Sequence, residues 1–211
     1  MEYSAIILCA GSGSRTGLSY NKIFHKINGR TVYEHTLNIF LNDQQCKQVI
    51  VVTKKTELTT IRSIVDDSRI LYVMGGKERQ DSVYEGLQVV NSPYVMIHDG
   101  ARPYVKQREI KELLKCLQSH EACLLMVPVK DTIKKVQDGK VVKTLQRGAL
   151  MQAQTPQAFH TELIKQVYQK AKDVNYLATD DASLVEVFSD IDVHIIIGSY
   201  QNKKITTIED L

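Results

Sequence analysis

The chain has 211 residues, 43% of them hydrophobic and 24% charged, with a formal net charge of +3. That composition supports a packed core and excludes a disordered chain. The mild charge carries no electrostatic footprint for nucleic acid, and no apolar run approaches the ~20 residues of a membrane span. The start, MEYSAIILCAG, lacks the basic region of a secretory leader, so the expected location is the cytoplasm. Cys9, Cys46, Cys116 and Cys123 have no metal-ligand spacing and read as reduced thiols.

In chain order, continuous apolar runs stand at 5–10, 48–53, 69–74, 94–99, 122–129 and 193–198. Continuous rather than alternating hydrophobicity predicts strands buried on both faces. Helical patterns fill the intervals at 32–42, 57–65, 82–90 and 108–118. Strand–helix alternation predicts a parallel sheet covered by helices on both sides. The rhythm breaks at TIKKVQDGKVVKTL (132–145), where polar and apolar residues alternate around Asp138-Gly139. That pair predicts a hairpin with a type I′ turn. An isolated hairpin is marginal in water, so this arm is expected to pack on a second copy of the chain. At the end, Thr207 followed by Asp210 predicts the start of a further helix.

The loop after the first strand, LCAGSGSRTGLSYNKIF (8–24), has the makings of a phosphate site. Gly11 and Gly13 let the main chain approach a polyphosphate. Arg15 can fork two phosphate oxygens, and Lys22 adds a mobile charge. It is not a P-loop, because no Lys-Ser or Lys-Thr pair follows the glycines. It is not a dinucleotide fingerprint either: Thr16 stands at the third glycine, and the second strand ends in Lys54-Lys55 rather than an acid. Downstream, GGKERQDSVYEGL (75–87) offers Gly75 and Gly76 for a flat base, and Ser82 as a helix cap with a free hydroxyl. IHDGARP (97–103) ends the fourth strand in Asp99, a candidate Mg²⁺ ligand beside Arg102. The six histidines are scattered and read as structural or surface groups, with His98 facing away from Asp99 across its strand.

AGSGSR…NKIF, GGKERQDSVYEGL, HDGARP, PVKDTIK, QTPQAF, TDDASLVE and NKKITTIEDL stand in order along nearly the whole chain. Together they resemble the 2-C-methyl-D-erythritol 4-phosphate cytidylyltransferases of non-mevalonate isoprenoid synthesis. The resemblance implies one nucleotidyltransferase domain over 1–211. Its fold would be α/β, a Rossmann-like, mostly parallel sheet flanked by helices, of the nucleotide-diphospho-sugar transferase type. A projecting β-hairpin arm at about 132–150 would be exchanged within a homodimer. It implies CMP transfer from CTP to methylerythritol phosphate, with Mg²⁺ and release of pyrophosphate. Arg15 and Lys22 would stabilise the transition state. Ala10, Gly11, Ser12 and Gly13 would cradle the triphosphate, and Gly75, Gly76 and Ser82 would receive cytosine. Asp99 would hold Mg²⁺ or the ribose side. Thr132 and Arg147 would reach the acceptor in the neighbouring subunit, where Arg102, Thr155, Thr179 and Lys204 complete its pocket. Asn21 departs from the family, which often has proline before the lysine, as do Ile23, Thr16 and Met151. The family also usually continues through a terminal helix. Two other readings stay open at this point: a ribitol 5-phosphate cytidylyltransferase, and a non-catalytic nucleotide-binding module on the same fold.

Overall fold

The computed structural model describes residues 1–11 and 20–210. The first half contains β1 (Tyr3–Leu8), β2 (Lys26–Ile27), β3 (Arg30–Thr31), α1 (Val32–Leu41), β4 (Cys46–Thr53), α2 (Leu58–Arg62), β5 (Ile70–Met74), α3 (Arg79–Gln88) and β6 (Tyr94–Asp99). Then come α4 (Gln107–Cys116), β7 (Ala122–Pro128), β8 (Lys134–Gln137), β9 (Lys140–Thr144), β10 (Met151–His160), α5 (Thr161–Asp173), α6 (Asp181–Phe188) and β11 (Val193–Ile197).

Among the described residues, seven strands form one sheet in the order β11-β7-β10-β6-β1-β4-β5. β1 runs parallel to both β4 and β6, β4 parallel to β5, and β7 parallel to β11. β10 alone is antiparallel, to β6 on one side and β7 on the other. Burial explains the apolar runs. Ile7, Val49, Val51 and Met96 pack against α1 and α4 through Tyr33, Leu37, Phe40, Ile110 and Leu113. Their neighbours Ile6, Ile50, Val52 and Ile97 pack against α3, α5 and α6 through Val83, Leu87, Ile164, Val167 and Leu184. Successive residues therefore serve opposite layers, and each large side chain buried stabilises the fold by roughly 1.5–3 kcal/mol.

β10, α5 and α6 are not among the elements expected from sequence, where QTPQAF and TDDASLVE stand only as motifs. β10 carries three glutamines, and Pro156 argues against a central strand. The pairing with β7 shifts register between Ala153 and Gln157, so the proline falls where no ladder bond is needed. Its polar residues act as internal pins. The Gln157 amide donates to Asp180 Oδ2 (2.8 Å) and accepts from Ala182 N–H (2.8 Å), seating the start of α6. The Gln154 amide donates to the Ser199 carbonyl (2.9 Å). Asp180, in turn, caps α6 by accepting from Ser183 N–H (3.1 Å).

The arm is a separate two-stranded sheet of β8 and β9. Asp138 and Gly139 both have positive φ, +48° and +73°, as a type I′ turn requires. Val136, Val141 and Val142 are 58%, 62% and 56% exposed, so the hairpin buries almost nothing against its own chain. The segment after Thr207 forms a single 3₁₀ turn at Ile208–Asp210. The Asp210 carboxylate accepts there from the Thr206 and Thr207 N–H groups, at 2.8 and 2.9 Å. No helix among the described residues is long and apolar enough to cross a membrane.

Candidate active site

β1 lies between β4 and β6, so chain connections leave it in opposite directions. Such a switch point opens a crevice beyond the carboxyl ends of the strands. A cavity of about 610 Å³ opens there. Leu8 to Gly11 follow β1 into it, Gly75 and Gly76 follow β5, and Asp99 ends β6. Lys22, Lys54, Lys77, Arg79 and Lys204 line it, against Glu78 and Asp99 as the acidic lining among the described residues. Five cations facing two carboxylates make the crevice attractive to a polyanion.

The residues expected from sequence divide into groups. Ala10, Gly11, Lys22, Gly75, Gly76, Ser82, Asp99 and Lys204 converge on this one cavity. Ser12, Gly13 and Arg15 lie outside the described residues. Arg102 stands behind the crevice, its Nε 3.5 Å from Asp99 Oδ2 and its Nη1 donating to the Asn202 carbonyl (2.7 Å). Thr155 is buried, and its hydroxyl accepts from Asp99 N–H (3.1 Å). Thr179 borders a smaller hollow with Arg79 and Asp180. Thr132 and Arg147 do not line the cavity of their own chain, and the Arg147 guanidinium donates to the Lys130 carbonyl (3.0 Å).

The two glycines are demanded by packing. A Cβ on Gly75 would stand 2.7 Å from Ala10 Cβ and 2.8 Å from Ser82 Oγ; one on Gly76 would stand 2.3 Å from Asp81 Cβ. Strand β5 thus brings its end against β1 and α3 and leaves main-chain groups as the cavity wall. Ser82 is not the helix cap expected from sequence. Glu78 occupies the N-cap position, with its N–H donating to Asp81 Oδ2 (2.9 Å). Ser82 sits inside α3, where its hydroxyl donates to the Glu78 carbonyl (3.1 Å) and keeps lone pairs free to accept.

Asp99 is the electrostatic centre. Its Oδ2 is 2.9 Å from Lys204 Nζ, and its Oδ1 is 3.5 Å from Arg79 Nε. Burial alone would raise its carboxyl, but Arg79, Lys204 and Arg102 reverse that and hold it well below the usual carboxylate range. Arg79 was missed by the sequence reading, although its segment was quoted. It bridges two acids, because its Nη1 and Nη2 also grip the fully buried Asp181 at 2.9 and 2.8 Å. Tyr168 Oη donates to the same carboxylate. Nothing local in GGKERQ announces this role, since Asp181 is 102 residues away.

His98 is buried on the opposite face, with its ring 5.3 Å from Phe40. Thr155 Oγ1 lies 3.0 Å from Nδ1, and the Arg102 carbonyl 3.0 Å from Nε2. The carbonyl can only accept, so Nε2 carries the proton and Nδ1 accepts from Thr155. Burial pushes the imidazole pKa down from 6.5 to about 4. Below pH 6.5 the unfolded chain binds a proton that the folded chain refuses. The stabilisation is therefore complete above pH 6.5 and declines as pH falls towards 4, by up to about 3 kcal/mol. Urea denaturation between pH 7 and 4 is expected to show this loss, and His98→Gln to flatten it. An equally steep slope in the variant would remove His98 as its source.

Among the described residues, no cluster of three or more His, Cys, Asp or Glu side chains could hold a metal alone. Mg²⁺ commonly takes only one or two carboxylates and fills its octahedron with phosphate oxygens and water. Asp99 offers one carboxylate at the crevice, but Arg79, Arg102 and Lys204 already neutralise it, so a metal there would take most of its ligands from a polyphosphate and water.

A model of the 2-C-methyl-D-erythritol 4-phosphate cytidylyltransferase family matches residues 3–211. An enzyme of that name from Halalkalibacterium halodurans is 43% identical over 216 residues, covering 100% of this chain and 94% of the relative. One from Bacillus mycoides is 42% identical over 214 residues, covering 99% of this chain and 94% of its own. The crystal structure of 4-diphosphocytidyl-2C-methyl-D-erythritol synthase from Anaerococcus prevotii is similar at a TM-score of 0.89 and 33% identity, covering 99% of this chain and 92% of that one.

Proposed function

The chain belongs to the 2-C-methyl-D-erythritol 4-phosphate cytidylyltransferase family, and from that premise we propose that it transfers CMP from CTP to 2-C-methyl-D-erythritol 4-phosphate. The products are 4-diphosphocytidyl-2-C-methyl-D-erythritol and pyrophosphate. The observation that carries the reading is the cationic, glycine-walled crevice at the switch point, built from the residues that the family motifs nominate.

In the reaction a phosphate oxygen of the acceptor bonds to the α-phosphorus of CTP as the bond to pyrophosphate breaks. Two anions must meet, so the protein's work is positioning and cationic stabilisation, with no covalent nucleophile. Lys22, with Arg15, serves the oxygens on which charge gathers. The main chain at Ala10 and Gly11, continuing through Ser12 and Gly13, takes the triphosphate. Gly75, Gly76 and Ser82 receive cytosine, the hydroxyl accepting from its exocyclic amine. Lys204 and Arg102 hold Asp99 in place at the ribose side. Mg²⁺, when bound with CTP at Asp99, supplies further charge neutralisation on the phosphates.

The exposed valines of the arm support a homodimer in which β8 and β9 pack on a second copy. Thr132 and Arg147 then serve the neighbour's acceptor pocket together with Thr179 and Lys204, while Thr155, buried between His98 and Asp99, supports the pocket from behind. Arg147→Ala is expected to raise KM for methylerythritol phosphate by about tenfold, the loss of one charge-assisted bond, with CTP affinity unchanged. An equal loss for CTP would take Arg147 off the acceptor side. A location in the cytoplasm completes the proposal.

The direct test is pyrophosphate release from CTP and Mg²⁺, with methylerythritol phosphate and ribitol 5-phosphate offered in parallel. Turnover with the first alone is expected. Turnover with ribitol 5-phosphate would reassign the acceptor, and silence with both in a folded protein that binds CTP would leave a binding module.

A further inference from the structure

The turn that carries Lys22 is fastened by its neighbour. Asn21 is 6% exposed, and each end of its amide has a partner. Nδ2 donates to the Cys9 carbonyl (3.1 Å), just past the end of β1, and to Glu57 Oε2 (3.0 Å), in the turn after β4. Oδ1 accepts from Ile23 N–H (3.4 Å). A carbonyl and a carboxylate require a donor, and an N–H requires an acceptor, so the amide has one workable orientation. The turn is also closed by its own backbone, Phe24 N–H to the Asn21 carbonyl and His25 N–H to the Lys22 carbonyl, at 2.9 and 3.0 Å. Ile23, 2% exposed, roots it in the core.

The amide thus joins both stems of the phosphate loop, Cys9 on entry and Asn21 on exit, and ties them to Glu57. Lys22 follows immediately and lines the crevice. We infer that Asn21 is a positioning residue for the CMP transfer: its amide clamps the two loop stems together and so fixes where Lys22 meets the triphosphate. This rests on the function proposed above, yet part of its test needs only CTP. Displacing a charged group by about 1 Å from its working position can cost on the order of 10²-fold in rate.

The test is a double-mutant cycle, N21A, K22A and N21A/K22A, read as kcat/KM for CTP and as CTP affinity by calorimetry. Asn21→Ala is expected to lower kcat/KM by about 10–100-fold while KM for the acceptor stays unchanged. N21A/K22A should then be no worse than K22A alone, because a misplaced lysine and an absent one are equivalent. Asn21→Asp is the second variant, for use where the alanine variant fails to fold. It keeps the shape but turns an acceptor towards the Cys9 carbonyl and Glu57, and it should match N21A in rate and in non-additivity. Retention of kcat/KM within about twofold in whichever variant folds, or full additivity with K22A, would overturn the inference. A wild-type protein that binds CTP but makes no product would instead defeat the functional reading, and calorimetry on the same variants would still decide whether Asn21 governs Lys22.

Discussion

Lys22→Ala is expected to lower kcat by about 10²–10³-fold, the usual cost of deleting one preorganised stabiliser of transition-state charge. The side chain is only 8% exposed, so its charge acts where little water screens it. The fold should survive, because Asn21 and the burial of Ile23 hold the turn at Lys22–Phe24. Steady-state pyrophosphate release paired with a thermal melt checks both halves. A kcat within threefold of wild type, in a protein that melts normally, would remove Lys22 from the transition state. Arg15→Ala is expected to cost as much, on the strength of the family motif alone.

Arg79→Met is expected to be the most destabilising single change in the site. Asp181 has no exposed side-chain surface, and among the described residues the variant leaves it with Tyr168 as its remaining side-chain donor. Breaking a buried pair by removing one partner costs about 3–5 kcal/mol. The arginine side chain is one-third exposed, which favours the lower end of that range. A loss of about 3 kcal/mol in a chain of this length lowers Tm by roughly 6–12 °C. Asp99 also loses a cation, so its carboxyl titrates closer to the ordinary range. The double variant R79M/D181N removes the stranded charge, keeps an acceptor for Tyr168, and should recover at least about 1 kcal/mol. Denaturant melts of the two variants decide the matter. An R79M protein as stable as wild type, or a double variant that recovers nothing, would mean the Arg79–Asp181 pair does not hold α3 and α6 together.

Much of the site was legible because phosphate chemistry restricts the residue types that can serve it. Gly75 and Gly76 stand out as a pair, and the structure shows the reason in contacts that no Cβ could share. Asp99 and Lys204 were both nominated, but as ligands for different groups. Their 2.9 Å ion pair joins the end of β6 to the loop after β11, and no spacing rule reaches that far. Thr155 was nominated for the acceptor, and its hydroxyl lies between His98 and Asp99 N–H. Arg79 went unread because a charged residue at the start of a helix usually means a solvated face. Asn21 was read as a departure from a commoner proline. Its amide bonds to Cys9 and Glu57, and its φ of −65° is one that a proline ring would also hold.

The sequence by itself determined the six apolar strands, and the two-sided burial of β1, β4, β6 and β7, since neighbouring large aliphatic residues must find two separate cores; the edge strands β5 and β11 instead leave Leu71, Met74, Ile195 and Ile197 exposed. It also determined the Asp138-Gly139 hairpin, because few residue pairs tolerate two consecutive positive φ angles. Only the tertiary structure decided that β10 runs antiparallel through the middle of the sheet. Its inward glutamines Gln154 and Gln157, unfavourable in a strand read alone, are satisfied by the Ser199 loop and by α6. It alone also set the charge balance of the crevice. Coulomb energy depends on distance through the fold and not on separation along the chain, so Arg79, Arg102 and Lys204 become one cluster around Asp99 only when the start of α3, the turn after β6 and the loop after β11 meet.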